Sequence, residues 1–402
     1  MTITRKEFLL SLLFSVTVFL SGCKTGGTDP DPEEDVYLVS SSEIQSLTKN
    51  QLAAQIAQQF PAQFQTLVTA FLQYDVKVYK LVYNTKLPDG TATKASGAVL
   101  VPTTQGKAVP MISQQHGTIS SDADAPSYFG PNSDAAFGGA FFASIGYILV
   151  CPDYIGYGES KAIPHTYEHR EGLATASLDM IRAAREFVKK NSIKWDERLL
   201  LTGYSEGGFA TMALQKKIEE EFPTEFNLVA SSMGSGAYHK SAFMKYIINE
   251  KTHGIASYNR LYLWTLLTYN ELYKLNKPMN YYLKEPYATQ VTQNGRNVNI
   301  NVSISDIFTD SFKKAVNDGT ETGFLNAVKD NDVYDWKPKT PTYLFAGTAD
   351  NLVFYFNTQD AYDAMQKRGA TNVTLNKLEG KDHSTAVLEY LTRTFTFFAS
   401  LQ

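Results

Sequence analysis

Arg198-Leu199-Leu200-Leu201-Thr202-Gly203-Tyr204-Ser205-Glu206-Gly207-Gly208-Phe209-Ala210 joins a short apolar run to a turn made of small residues. Residues 199–201 read as a fully buried strand of a parallel sheet. The strand leads into Gly203-Tyr204-Ser205-Glu206-Gly207, the G-x-S-x-G spacing of a nucleophile on a strand-to-helix turn. A serine at that point must hold a strained backbone so that its hydroxyl stands clear of the sheet. The glycines on either side remove β-carbons that would collide in so tight a turn. Residues 209–218, rich in Ala, Met, Leu, Gln and Lys, predict a helix. Its first N–H groups would face the charge that develops on a reacting carbonyl. The same pentapeptide also arises by chance in loops, so the reading depends on a base and an acid following in order.

Acyl transfer from Ser205 requires a base, an acid to orient it, and donors for an oxyanion. Of the six histidines, only His383 lies beyond the last predicted strand, in Glu379-Gly380-Lys381-Asp382-His383-Ser384. Asp350 closes Leu344-Phe345-Ala346-Gly347-Thr348-Ala349-Asp350, another exit from a strand. The order Ser205, Asp350, His383 is the one expected of the α/β-hydrolase layout. Asp382 is a rival acid, but a residue adjacent to the base seldom reaches its far ring nitrogen. The expected oxyanion donors are the backbone N–H of Glu206 and one from His116-Gly117-Thr118, supplied by Gly117 or Thr118. His116 is expected to shape that loop, and the Glu206 side chain to be structural. No His, Cys and Glu cluster has metal-ligand spacing, so neither metal nor cofactor is invoked.

Around this constellation the chain alternates. Residues 76–83 and 94–101 flank the turn Pro88-Asp89-Gly90 and predict an antiparallel hairpin at the start of a sheet. Strands are predicted at 109–114, 146–151, 228–232, 342–346 and 373–378, with a helix over 171–190. This pattern predicts a mostly parallel sheet covered on both faces. Residues 43–73 read as helical, with Pro61 as a break. Residues 238–336 separate two successive core strands by far more than an ordinary connection. They carry Tyr258, Tyr262, Trp264, Tyr269, Tyr273, Tyr281, Tyr282 and Tyr287, and are expected to form an inserted helical cap over the site. The core is therefore expected in two parts, 43–237 and 337–402.

The amino terminus has a different character. Arg5 and Lys6 precede an apolar run too short for a comfortable membrane span. It ends in Leu20-Ser21-Gly22-Cys23, which resembles the lipobox of bacterial lipoproteins. That resemblance implies a signal peptide over 1–22 and a mature chain that starts at a lipidated Cys23. Residues 23–42 would then form a flexible tether, and the domain would lie outside the cytoplasm, at the periplasmic face or the cell surface. With Cys23 acylated, Cys151 has no disulfide partner and is expected to be an inert buried thiol. A formal charge of −4 leaves no basic footprint, so nucleic acid is not an expected partner.

From Val76 onward the chain resembles an α/β-hydrolase. Gln115-His116-Gly117-Thr118, Pro152-Asp153-Tyr154-Ile155-Gly156-Tyr157-Gly158 and Gly203-Tyr204-Ser205-Glu206-Gly207-Gly208 are similar to the motifs of secretory lipases and related bacterial esterases. Glu206 stands where that family usually has glutamine. The resemblance implies hydrolysis of carboxylic esters of small molecules, lipids or sugars, with Ser205 as nucleophile, Asp350 as acid and His383 as base. Two other readings share the core: a peptidase of the prolyl-oligopeptidase type, and a surface lipoprotein that binds without catalysis. The stretch between tether and hairpin is too short for the propeller of the former. The presence of all three triad residues argues against the latter.

Overall fold

Alternation within the decisive strand sets the layering. A computed structural model describes residues 36–59 and 69–401. The predicted signal peptide, Cys23 and most of the predicted tether lie outside the described residues. Strand β6 (Trp195–Tyr204) sends Leu199 and Leu201 into one core cluster and Leu200 into another, as the two-residue period of a strand requires. All three are buried, and each contributes about 1.5–3 kcal/mol by leaving water. On one side the helix Arg170–Lys190 supplies Leu178, Ile181 and Phe187. On the other, Phe142 and the Phe397–Phe398 pair of the C-terminal helix Val387–Ala399 close over Leu200 and Ile112.

Among the described residues, nine strands form one sheet in the order β1-β2-β3-β5-β4-β6-β7-β8-β9. Strands β2 (Val76–Lys86) and β3 (Ala92–Pro102) pair antiparallel in unbroken register around the Pro88-Asp89-Gly90 turn. From β5 (Ile148–Pro152) through β4 (Val109–Gln115), β6, β7 (Asn227–Gly234) and β8 (Thr342–Gly347) to β9 (Val373–Leu378) every pairing is parallel. This is the mostly parallel, doubly covered sheet of an α/β-hydrolase. Strand β5, which carries Cys151, and strand β6 are therefore both interior, and Cys151 is a free buried thiol whose pKa burial pushes up.

The first strand corrects the sequence reading. Residues 43–47, expected in a helix, and 38–42, expected in the tether, form β1 (Leu38–Leu47), which pairs antiparallel with β2. Only Leu38 and Leu47 of this strand are buried, and Ile44 is exposed. The apparent helical spacing of Ile44 and Leu47 therefore carried no core. What holds β1 is its backbone hydrogen bonding to the free edge of β2, which side-chain periodicity does not report. Among the described residues of 43–73, helix is present at Lys49–Gln59 and at residues 69–71.

Between β7 and β8 the chain is helical, including Lys240–Asn249, Ala256–Leu272, Asp310–Asn317 and Thr322–Asp330. These pieces bury a cluster of their own around Tyr269, Tyr282, Phe308, Phe312 and Phe324. Most of the aromatic enrichment noted in the sequence is thus packing among the helices, with rings such as Tyr282 and Phe312 edge-to-face at 5.0 Å.

One helix start carries a pH-dependent contribution to stability. His169 caps the helix Arg170–Lys190, its Nδ1 accepting from Gly172 N–H at 3.1 Å. Burial lowers its pKa from the ordinary 6.5 to about 4, against the opposing pull of Asp330. A cap that accepts must be unprotonated, so the folded state prefers the neutral ring. Its stabilisation is complete above pH 6.5 and is lost as the pH falls toward 4, amounting to on the order of 2 kcal/mol by pH 5. His169→Asn keeps an accepting cap without the titration. Urea midpoints measured at pH 7 and pH 5 should differ less for this variant than for the parent; equal differences would remove His169 from the account.

Candidate active site

Ser205 sits between β6 and the helix Glu206–Glu221 with φ 61° and ψ −124°, a conformation that non-glycine residues rarely adopt. Two backbone hydrogen bonds hold it there: Ser205 N–H donates to Gly234 O at 2.9 Å, and Ser205 O accepts from Phe209 N–H at 3.1 Å. The flanking glycines are sterically obligatory. A β-carbon on Gly203 would lie 2.3 Å from Gly207 O, and one on Gly207 would lie 2.1 Å from Gln115 O.

The loops after β8 and β9 bring two distant residues to this turn. His383 Nε2 lies 2.9 Å from Ser205 Oγ, and His383 Nδ1 lies 2.7 Å from Asp350 Oδ2. A carboxylate only accepts, so Nδ1 carries the ring proton and Nε2 is free to accept from the serine hydroxyl. Asp350 is buried, and its second oxygen accepts from Leu352 N–H at 3.0 Å and Val353 N–H at 2.9 Å. Asp382 turns away: its Oδ1 accepts from Ser384 N–H, Thr385 N–H and Thr385 Oγ1 within its own exposed loop. Those hydrogen bonds lower its pKa. Tyr204, which the sequence reading passed over, donates from its hydroxyl to His383 O at 2.8 Å and so fixes the loop that carries the imidazole.

The loop after β4 lies against the elbow, since a β-carbon on Gly117 would come 3.9 Å from Ser205 Cβ. Here one expectation is corrected. The Gly117 N–H is donated to Asp134 Oδ2 at 2.9 Å, so it does not point to an oxyanion. Asp134 stands in helical conformation at the start of the segment Ala135–Gly139, in a stretch without any recognisable motif, so residue types alone give Gly117 and Thr118 equal standing. The Thr118 hydroxyl is tied to Tyr167 Oη at 3.2 Å. His116 is held inside the scaffold, with Nδ1 2.7 Å from Gly117 O, Nε2 3.2 Å from Asp153 O, and its ring 4.1 Å from that of Tyr154. Asp153 itself is buried and accepts from Ser96 Oγ at 2.5 Å and Ser127 N–H at 2.8 Å; burial raises its pKa against these bonds. The Pro152-Asp153-Tyr154 motif thus braces the loop that carries His116 and Gly117.

Glu206 has a partner that sequence gave no means of pairing. Its Oε1 lies 2.7 Å from His165 Nε2, and His165 Nδ1 lies 2.6 Å from Ile155 O, with both side chains buried. Ile155 O only accepts, so Nδ1 bears a proton, and the contact with Glu206 requires one more, carried by either partner. Removing the ring would strand an acid beside the first N–H of the helix Glu206–Glu221. His165→Leu is expected to destabilise the fold by about 3–5 kcal/mol. Adding Glu206→Gln to that variant should recover much of the loss, as read by urea denaturation. A silent His165→Leu would show that the pair is dispensable.

Two cavities meet at Ser205. One, of about 510 Å³, runs along Gly117 and Thr118 past His383 and Val387. The other, of about 20 Å³, is walled by Phe243, Met244 and Tyr262 and reaches the buried Lys240–Glu168 pair. Among the described residues, no group of three or more His, Cys, Asp or Glu side chains converges as a metal site would require.

A family profile described as secretory lipase matches residues 141–399. No curated protein sequence matches the chain. Among solved structures, the chain is similar to a candidate hydrolase of Legionella pneumophila, at 26% identity over 90% of this chain and 98% of that one, with a TM-score of 0.79. It is similar also to a variant of the rice cell wall degrading esterase LipA from Xanthomonas oryzae, at 25% identity over 88% and 94% of the two chains and a TM-score of 0.72. Lipase A of Candida antarctica shares the fold, at 16% identity over 87% and 78% and a TM-score of 0.61. The match to the profile takes in the helical segment, Ser205 and both loops that approach it, and it spans more than half of the residues. On that ground the chain belongs to the secretory lipase family, ester hydrolases built on the α/β-hydrolase fold.

Proposed function

We propose that the protein is a lipid-anchored serine hydrolase of carboxylic esters, acting outside the cytoplasm through an acyl-enzyme on Ser205. The observation that carries this reading is the hydrogen-bonded line from Asp350 through His383 to Ser205. His383 Nε2 takes the Ser205 proton as Oγ attacks the ester carbonyl, and Asp350 stabilises the imidazolium that results. The tetrahedral oxyanion is received by the N–H groups of Glu206 and Thr118. His383 then protonates the departing alcohol. Water, deprotonated by the same nitrogen, cleaves the acyl–Ser205 bond and releases the acid. Residues 238–336 act as a cap, since Leu261 and Tyr262 reach the cavities at Ser205.

The anchor rests on Leu20-Ser21-Gly22-Cys23, and the tether would hold the catalytic domain off the lipid surface. The substrate is an ester of a small molecule, lipid or sugar. Incubating the full-length protein with a fluorophosphonate tests the central step: one equivalent should attach to the peptide containing Ser205, and p-nitrophenyl ester turnover should fall in proportion. Labelling elsewhere, or turnover untouched by complete labelling, would sink the acyl-enzyme. Metabolic labelling with a palmitate analogue should mark the parent chain and not Cys23→Ala, which tests the anchor separately.

A further inference from the structure

The two cavities at Ser205 differ in what they touch. The larger contains His383 and the oxyanion loop in its walls; the smaller touches Ser205 but not His383, and the two share Leu261 and Leu352 as their divide. The departing alcohol oxygen must lie within hydrogen-bond reach of His383 Nε2 to receive its proton. The alcohol therefore leaves through the larger cavity, and the acyl substituent of the same carbonyl carbon is directed into the smaller one.

That smaller cavity holds about 20 Å³, whereas roughly 10–15 Å³ already accommodates a single water. Its walls do not yield easily. Phe243 and Met244 are buried in the core of the helical segment, and Tyr262 is fixed by its hydroxyl, which donates to Leu352 O at 2.8 Å. Lys240 is 1% exposed, bonded to Glu168, and set 4.3 Å from the centre of the Phe209 ring. Glu168 is held in turn through its carbonyl by the Tyr269 hydroxyl at 2.7 Å. A longer alkyl chain would have to displace aromatic packing and press on a paired charge, whose partners cannot separate without leaving a bare ion buried.

We infer that this hydrolase is selective for esters of the shortest acids, acetyl above all, and that the bulk of its substrate lies on the alcohol side. The inference rests on the acyl-enzyme reading above and narrows it. In the reaction the short acyl carbon bonds to Ser205 Oγ as its bond to the alcohol oxygen breaks. The serine proton passes by way of His383 to that oxygen, and water then yields the short carboxylic acid.

The test is the chain-length profile of the full-length protein on p-nitrophenyl acetate, butyrate, octanoate and palmitate, alongside Met244→Ala and Phe243→Leu. Each methylene beyond the available room costs about tenfold or more, so octanoate should fall at least roughly 100-fold below acetate in kcat/KM. Emptying the wall with Met244→Ala should raise octanoate relative to acetate by about tenfold. Phe243→Leu is the milder change should the first variant not fold. Octanoate or palmitate turned over as well as acetate by the parent protein would overturn the inference. If Ser205 is labelled by a fluorophosphonate in that case, the acyl-enzyme stands and only the pocket assignment fails. Absence of both labelling and turnover would overturn the two together.

Discussion

Ser205→Ala should lower kcat for ester hydrolysis by about 10⁶-fold while leaving the fold intact. The magnitude follows from the position of Ser205 at the end of a relay. With Oγ gone, His383 has no proton to take and Asp350 no developing charge to stabilise, so all three contributions vanish at once. Adding His383→Ala to Ser205→Ala should therefore cost almost nothing more, because residues acting as a unit are not additive. What remains would come from the Glu206 and Thr118 N–H groups and from binding alone. Stability offers an independent check. Residue 205 keeps φ 61° whatever its side chain, because its N–H is tied to Gly234 O and its carbonyl to Phe209 N–H. Ser205→Gly should consequently be more stable than Ser205→Ala by about 1 kcal/mol or more, both being inactive. Residual turnover within tenfold of the parent in purified Ser205→Ala would rule out this nucleophile.

The elbow was legible in the sequence because its physics is local. Gly203, Ser205 and Gly207 are constrained by atoms within a few residues or in the adjoining strand, and β6 alternates cleanly between two cores. Asp350 and His383 were legible only through chain order, since their approach to Ser205 is made by loops after two parallel strands. The sheet from β2 to β9 follows from buried apolar runs, which a parallel sheet demands of its strands. β1 was misread because its stability comes from backbone pairing at an edge, with only its two end leucines buried. The oxyanion loop was half legible. Nothing in the neighbourhood of Asp134 announces that its carboxylate takes the Gly117 N–H from a position 17 residues away. The pairings His165–Glu206 and Lys240–Glu168 were invisible for the same reason: each partner reads singly as an ordinary polar residue, and only the fold buries them together. The tyrosines of the helical segment show the converse. Tyr269 and Tyr282, expected in a cap over the site, are consumed in packing, and Tyr262 is the one of the seven tyrosines named from the sequence that lines the smaller cavity at Ser205.

Asp350→Asn is expected to lower kcat by about 10⁴-fold, and Asp382→Asn to change it by no more than a few-fold. The two carboxylates flank the same histidine, one in sequence and one in space, and the variants separate those relations. In Asp350→Asn the amide oxygen can still accept from Leu352 and Val353 N–H, so the loop should keep its shape. The amide nitrogen would then face His383 Nδ1, and it can only donate. That forces the ring proton onto Nε2, the nitrogen 2.9 Å from Ser205 Oγ, which then has no lone pair with which to accept the serine proton. The lesion is thus one of tautomer, with geometry preserved, so fluorophosphonate labelling should slow in step with kcat while KM stays near that of the parent. Asp382→Asn retains an oxygen for Ser384 and Thr385 N–H, and the charge it removes lies on a fully exposed loop, where solvent screens it from His383. Comparable losses in the two variants would make Asp382 a participant and dissolve the order Ser205, Asp350, His383. A 10⁴-fold gap between them would fix the acid as the residue that touches the far nitrogen of the imidazole.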